Sequence, residues 1–336
     1  EQFHLKELFC VMIFATLLLL PFTALGSVDL LVVGDWGGMP VKPYTLPGQV
    51  ATANGMGIIG EKLNAQAVLA LGDNFYTYGI QGDETSHRFE DTWDSVYTAE
   101  SLTRVPWLVI AGNHDYKGNV SAQVAYSQVN SRWHFPSLYH SKSFTSEDGV
   151  TVDVILIDTI DLAGSAGGAS LEEDPHYFDA LPHRPRQAAA DQWEWIEATL
   201  AASTAQYVFV GGHYSLYSVC DHGNTQNLID NLQPLLLQYG AHYLSGHDHC
   251  MEALQDRGVY YFVTGMGDTC CYEASNMDTV PENSLLWHTS RGSKTKGTIG
   301  GFTSISASAD SMTVSFYDQD GTELYTTDKI APRTMP

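Results

Sequence analysis

Leu244-Ser245-Gly246-His247-Asp248-His249 is the stretch from which the rest of the chain can be read. It follows an apolar run containing Ala241 and Tyr243, so it reads as the end of a buried strand. On an extended backbone, residues two apart project to one side, which gives His247 and His249 a common face. Gly246 lets the chain turn sharply out of the strand. A single His-x-His pair is a weak signal, because histidines are also found satisfied in cores. Four upstream segments, however, repeat the order of apolar strand, glycine and polar ligand: Val32-Val33-Gly34-Asp35, Ala70-Leu71-Gly72-Asp73-Asn74, Ile110-Ala111-Gly112-Asn113-His114-Asp115 and Phe209-Val210-Gly211-Gly212-His213. Five strand ends, each delivering Asp, Asn or His, describe one site.

The inventory at those ends is Asp35, Asp73, Asn113, His213, His247 and His249, with Tyr76 three residues past Asp73. Oxygen and imidazole donors without thiolate suit iron, manganese or zinc. Seven donors exceed what one catalytic ion with an open position needs, whereas two ions sharing a carboxylate use them all. Asp73 is the natural bridge. A thiolate zinc cluster is excluded, since no Cys-x-x-Cys spacing occurs. Asp318-x-Asp320-Gly321 has the look of a calcium loop, but nothing after it supplies the remaining ligands, and it reads as a turn. His87, His134, His140, His176, His183, His242 and His288 lack matching context and read as surface or core residues. Asp158 and Asp161 read as structural.

The 336 residues carry 16 basic and 39 acidic side chains, a formal charge of -23. Nucleic-acid backbones and anionic membrane surfaces are therefore poor partners, and an anionic substrate must be drawn in by local metal charge against the global field. Lys6 precedes an apolar run from Leu8 to Leu20, and Ala24-Leu25-Gly26 offers a small-x-small cleavage pattern. Residues 1–26 thus read as a signal peptide, with a signal-anchor as the alternative, and 27–336 as one catalytic domain. The expected destination is the exterior or a lysosome-like endomembrane compartment. In that oxidising setting Cys220, Cys250, Cys270 and Cys271 allow three connectivities. A bond between adjacent cysteines would be strained, which favours pairing Cys270 and Cys271 with Cys220 and Cys250. Asn119-Val120-Ser121 is a glycosylation sequon.

Apolar periodicity predicts strands over Val28–Val33, Ala67–Leu71, Pro106–Ala111, Val150–Ile157, Tyr207–Val210, Tyr260–Thr264 and Thr313–Tyr317. Helical spacing covers Gln49–Asn64, a segment holding Phe89, Trp93 and Val96, Gln187–Ala202 and Asn227–Tyr239. Asp148-Gly149 and Asp320-Gly321 turn hairpins. Gly164 to Pro185 reads as a long exposed loop, the expected site of proteolysis.

Asp35 in Gly-Asp-Trp-Gly-Gly, Asp73 and Tyr76 in Gly-Asp-Asn-Phe-Tyr, Asn113 and His114 in Gly-Asn-His-Asp, His213 in Gly-His-Tyr and the Gly-His-Asp-His at 246–249 together resemble the metallophosphoesterase pattern. More narrowly the chain is similar to the small, tartrate-resistant type of purple acid phosphatase, and the segments 118–123 and 132–136 continue the likeness. The resemblance implies a four-layer αββα sandwich of two mixed sheets with two metals at the strand C-terminal ends. It implies Fe(III) on Asp35, Asp73, Tyr76 and His249, and a divalent ion (Fe, Zn or Mn) on Asp73, Asn113, His213 and His247. The implied reaction is hydrolysis of phosphate monoesters at acid pH by metal-bound hydroxide, without a phosphoenzyme. His114, oriented by Asp115, would stabilise charge or donate a proton, and Asp221 and His222 would stand on the leaving-group side, where the family usually has glutamate rather than aspartate. Small phosphate esters, nucleotides or phosphoproteins are the implied substrates of a monomer. The alternatives are a phosphodiesterase or nucleotide phosphatase on the same metals, and a binding protein with a degenerate site. A missing ligand would favour the last, and none is missing.

Overall fold

The computed structural model describes residues 26–164, 186–291 and 297–334. In chain order β1 (Val28–Val33) leads through helix α1 (Pro47–Leu63) to β2 (Ala67–Leu71), then through a short π-type turn at Phe89–Asp94 and α2 (Glu100–Thr103) to β3 (Trp107–Ile110). Helix α3 (Val120–Tyr126) and β4 (Trp133–His134) follow. The chain then crosses to a second sheet with β5 (His140–Thr145), β6 (Thr151–Leu156), α4 (Thr159–Gly164), α5 (Arg186–Ala202), β7 (Tyr207–Gly211), α6 (Gln226–Tyr239), β8 (His242–Ser245), β9 (Met251–Asp256), β10 (Val259–Thr264) and β11 (Leu285–Thr289). Finally β12 (Gly301–Ala307), β13 (Met312–Asp318) and β14 (Glu323–Thr326) return to the first sheet.

Both sheets have seven strands, in the orders β14-β13-β12-β1-β2-β3-β4 and β11-β9-β10-β8-β7-β6-β5. β1 to β4 run parallel and β12 joins β1 antiparallel; β6, β7, β8 and β10 are parallel with antiparallel strands outside them. The expected αββα sandwich of mixed sheets is the architecture found.

Period-two alternation sorts the apolar strands between layers. Val28, Leu30 and Val32 of β1 face the core between the sheets with Leu69, Leu71 and Phe209, while Leu31 and Val33 face the helix side with Ala53 and Met56 of α1. On the opposite outer face Val208 and Val210 pack with Ile196, Leu200 and Leu232 of α5 and α6. Two-sided burial explains why these strands read as unbroken apolar runs. The glycines of α1 have a packing reason: a Cβ on Gly55 would stand 2.5 Å from the carbonyl oxygen of Gln319.

The cysteine expectation is overturned. Cys220 bonds Cys250, with Cα atoms 6.8 Å apart, so neither is left for Cys270 or Cys271, which lie side by side. The fold buries Cys220 and Cys250 in one apolar cluster with Val219 and Val263, whereas Cys270 and Cys271 pack against the core between the sheets. Tertiary placement brings Cys220 to Cys250 across a sequence separation of 30. Residues 1–25 of the signal reading and 165–185 of the loop reading lie outside the described residues.

Candidate metal centre and active site

The candidate ligand residues sit just past the C-terminal ends of parallel strands β1, β2, β3, β7 and β8, where α/β sheets open a crevice. Three of them, Asp35, Asp73 and His247, have left-handed backbones with φ of 57, 51 and 71°. Such conformations are uncommon outside glycine and cluster at functional sites. Below Asp35 and Tyr76 an aromatic cluster anchors the loops: the Trp36 ring lies 5.6 Å from Trp107, 6.0 Å from Trp133 and 6.2 Å from Phe75. The two sheets touch at the site through glycines. A Cβ on Gly34 would stand 2.9 Å from Gly246 Cα, and one on Gly246 would stand 2.4 Å from Asp35 Oδ2.

The seven candidate ligands converge. The Tyr76 hydroxyl donates to Asp35 Oδ1 at 3.0 Å and lies 2.9 Å from His249 Nε2, which is 3.6 Å from the same carboxylate oxygen. On the other side His213 Nε2 is 2.8 Å from Asn113 Oδ1 and 3.5 Å from Asp73 Oδ1. Ligand atoms of Asp35, Asp73 and His213 lie within 4.8 Å of one another, so Asp73 stands between the two groups. The His247 ring is 5.1 Å from that of His213, and its backbone N–H donates to Asp35 Oδ2 at 2.7 Å.

The electrostatics suit a cation. Asp35 and Asp73 are fully buried, and their ion-pair partners among the described residues are all imidazoles. Burial, then neighbouring histidines, pushes His247 far down; burial lowers His213 and pushes His249 to about 4. Burial and the charge of Asp73 lift Asp35 well above the carboxylate range. Burial lifts Asp73 too, but the imidazoles of His213 and His114 outweigh it and hold that carboxyl below its usual value. The His213 Nδ1–H donates to the Leu71 carbonyl at 2.9 Å, which leaves the lone pair of Nε2 facing the lone pairs of Asn113 Oδ1. Two acceptors facing each other without a proton, beside buried carboxylates, are a donor set for a metal ion.

His114 is close to this set without belonging to it. Its Nδ1–H donates to the Thr77 carbonyl at 2.8 Å, and its Nε2 faces Asp73 Oδ2 at 3.9 Å. Asp115 does not orient it, contrary to expectation. That carboxylate, raised to about 7 by burial and then by Asp73, accepts from the backbone N–H groups of Gly112, Asn74 and Phe75 and from Gln123. It ties the loop after β2 to the loop after β3. His222 stacks on His247 with ring centres 4.0 Å apart and lies at the mouth of the site. Asp221 departs from the reading: its carboxylate accepts from the Ser275 hydroxyl and the Glu273 N–H, turned toward a neighbouring loop.

Three contributors escaped sequence reading. Asp248 accepts from the His222 N–H at 2.9 Å, Glu252 accepts from Val219 N–H and Ser218, and Tyr272 stacks on His249 at 4.6 Å. Only Asp248, lying between two ligand histidines, carried a signal.

Two facing mixed sheets that bring Asp, Asp, Tyr, Asn and three His to one crevice define a metallophosphoesterase of the dinuclear type. Comparison with known proteins agrees. The family model described as calcineurin-like phosphoesterase matches residues 28–251. The chain is 38% identical to human tartrate-resistant acid phosphatase type 5 over 95% of this chain and 96% of that one. It is 30% identical to purple acid phosphatase 7 of Arabidopsis thaliana, over 80% of this chain and 78% of that one. Among solved structures, one described as GAP50, the anchor in the inner membrane complex of Plasmodium, shares the fold with a TM-score of 0.74 at 21% identity, covering 92% of this chain and 90% of that one. The chain belongs to the calcineurin-like phosphoesterases and, within them, to the tartrate-resistant type of purple acid phosphatase, so it is a hydrolase of the acid phosphatase class.

Proposed function

We propose that this protein is a secreted acid phosphatase that hydrolyses small phosphate monoesters through a mixed-metal centre. Asp35, Asp73, Tyr76 and His249 would hold Fe(III), and Asp73, Asn113, His213 and His247 a divalent ion. When bound, such a pair supplies Lewis acidity toward phosphate oxygens and lowers the pKa of water. The observation that carries the reading is the asymmetry of the two donor groups: Asp35 and the Tyr76 phenol on one side, the neutral Asn113 and two imidazoles on the other. Hard anionic oxygen favours the ferric ion. Burial first, then Asp35, pushes the Tyr76 phenol far up, so only a strongly charged ion at that hydroxyl makes the phenolate the stable form.

His114 presents Nε2 to the site with its other nitrogen fixed by Thr77, an arrangement suited to donating a proton to the departing alcohol or to stabilising phosphate charge. His222 extends the same wall. The buried Cys220–Cys250 bond supports an oxidising, secretory destination. Among the described residues no helix is long and apolar enough to cross a membrane.

Metal analysis with a visible spectrum tests the assignment. The iron-loaded protein should be coloured by phenolate charge transfer, and Tyr76→Phe should bleach it and weaken the first metal while leaving some hydrolysis. A wild-type protein that is active, fully loaded with iron and colourless overturns the ferric-phenolate centre.

A further inference from the structure

We propose that Tyr272 is a further substrate-contacting residue, placed on the leaving-group side of the site, and that Asp221 acts by positioning it. The inference rests on the phosphatase reading above. The Tyr272 ring stacks on His249 with centres 4.6 Å apart and planes at 21°, and meets the edge of His222 at 5.4 Å and 74°. It therefore bridges a ligand of the first metal and the histidine at the mouth. The residue is half-buried, and its hydroxyl has no hydrogen-bond partner among the described residues. A phenol is a proton donor at acid pH, so a free O–H on the ring beside His249 and His222 is a donor for an ester seated on the metals.

The backbone fixes this placement. Tyr272 N–H donates to the His249 carbonyl at 2.9 Å, and the Tyr272 carbonyl accepts from Arg291 N–H at 2.7 Å. Just ahead of it, Cys270 N–H donates to the Ile299 carbonyl at 3.1 Å. Just beyond it, Asp221 grips the same segment through Ser275 Oγ at 2.6 Å and Glu273 N–H at 3.3 Å. The carboxylate expected at the leaving group is thus spent on holding the loop that carries Tyr272. A pre-set donor of this kind costs no reordering when the ester binds.

Tyr272→Phe keeps the ring stack and removes only the oxygen. In the metal-loaded enzyme, metal content and visible spectrum should match wild type. The kcat/KM for an alkyl phosphate should fall about threefold to tenfold, the range of one ordinary hydrogen bond, with a smaller loss for a nitrophenyl phosphate and weaker inhibition by inorganic phosphate. Equality with wild type in kcat, KM and phosphate inhibition for both esters overturns the contact. Asp221→Ala should reproduce the Tyr272→Phe loss and add little to it in the double variant. Fully additive losses overturn the positioning role. A metal-loaded wild type inactive on every phosphate ester would instead defeat the phosphatase reading, a distinct result.

Discussion

The first sheet and the second contribute different chemistry to one crevice. From the first come oxygen donors: Asp35 after β1, Asp73 and Tyr76 after β2, and Asn113 after β3. From the second come imidazoles: His213 after β7, and His247 and His249 after β8, with His222 on the loop between. Neither sheet alone offers both the anionic charge and the neutral nitrogen donors that two ions need. The seam also supports itself, since His247 N–H donates to Asp35 and the His213 ring donates to the Leu71 carbonyl. Bringing oxygen donors and imidazoles together in this way gives the assembled site a suitability for cations that neither half has by itself.

The largest test of this division is Asp73→Ala. Asp73 is the carboxylate standing between both donor groups, so its loss should release both metals and reduce hydrolysis to background. Metal analysis by mass spectrometry is decisive, and two tightly held ions in that variant would break the comparison. A smaller effect is expected from His114→Ala, because His114 is an imidazole carried by the oxygen-donating sheet and lies beside the metal donors rather than among them. Turnover should fall by about 10²-fold for alkyl phosphates with metal content intact. The loss should shrink for nitrophenyl phosphate, whose leaving group needs no proton, and an equal loss for both esters assigns His114 to charge stabilisation.

The smallest effect belongs to the second sheet's own support. Burial, then the charge of Asp248, raises Glu252 from an ordinary 4.5 to about 8. The folded chain therefore keeps a proton that the unfolded chain releases between those values. The resulting stability is fully present below about 4.5 and is lost as pH rises through about 8. Glu252→Gln should flatten the decline of the thermal midpoint across that window by about a few degrees. A variant whose midpoint falls with pH as steeply as wild type removes Glu252 from the account.

The candidate ligand set was legible because most of its members stand just past a buried strand and a glycine, a local pattern with a local cause. Other elements were not. β12, Gly-Phe-Thr-Ser-Ile-Ser-Ala, alternates apolar and small polar residues and gives a weak apolar signal, yet it pairs with β1 along five positions. β9 and β11 were likewise silent, because their burial comes from neighbours distant in sequence. Tyr272 stood after two cysteines with no motif around it, and Asp221 stood in the expected place with its side chain turned elsewhere.

The sequence by itself determined the donor types, their position past apolar strands and the composition that makes an anionic macromolecular partner unfavourable. These follow from residue chemistry and period-two or helical spacing, which act over a few residues. The tertiary structure alone decided that Cys220 meets Cys250, that Asp115 ties two loops instead of orienting His114, and that Asp221 holds the segment carrying Tyr272. Each of those depends on which side chains a packed interior leaves within reach, and that is set by the meeting of two sheets whose strands are dispersed along the chain.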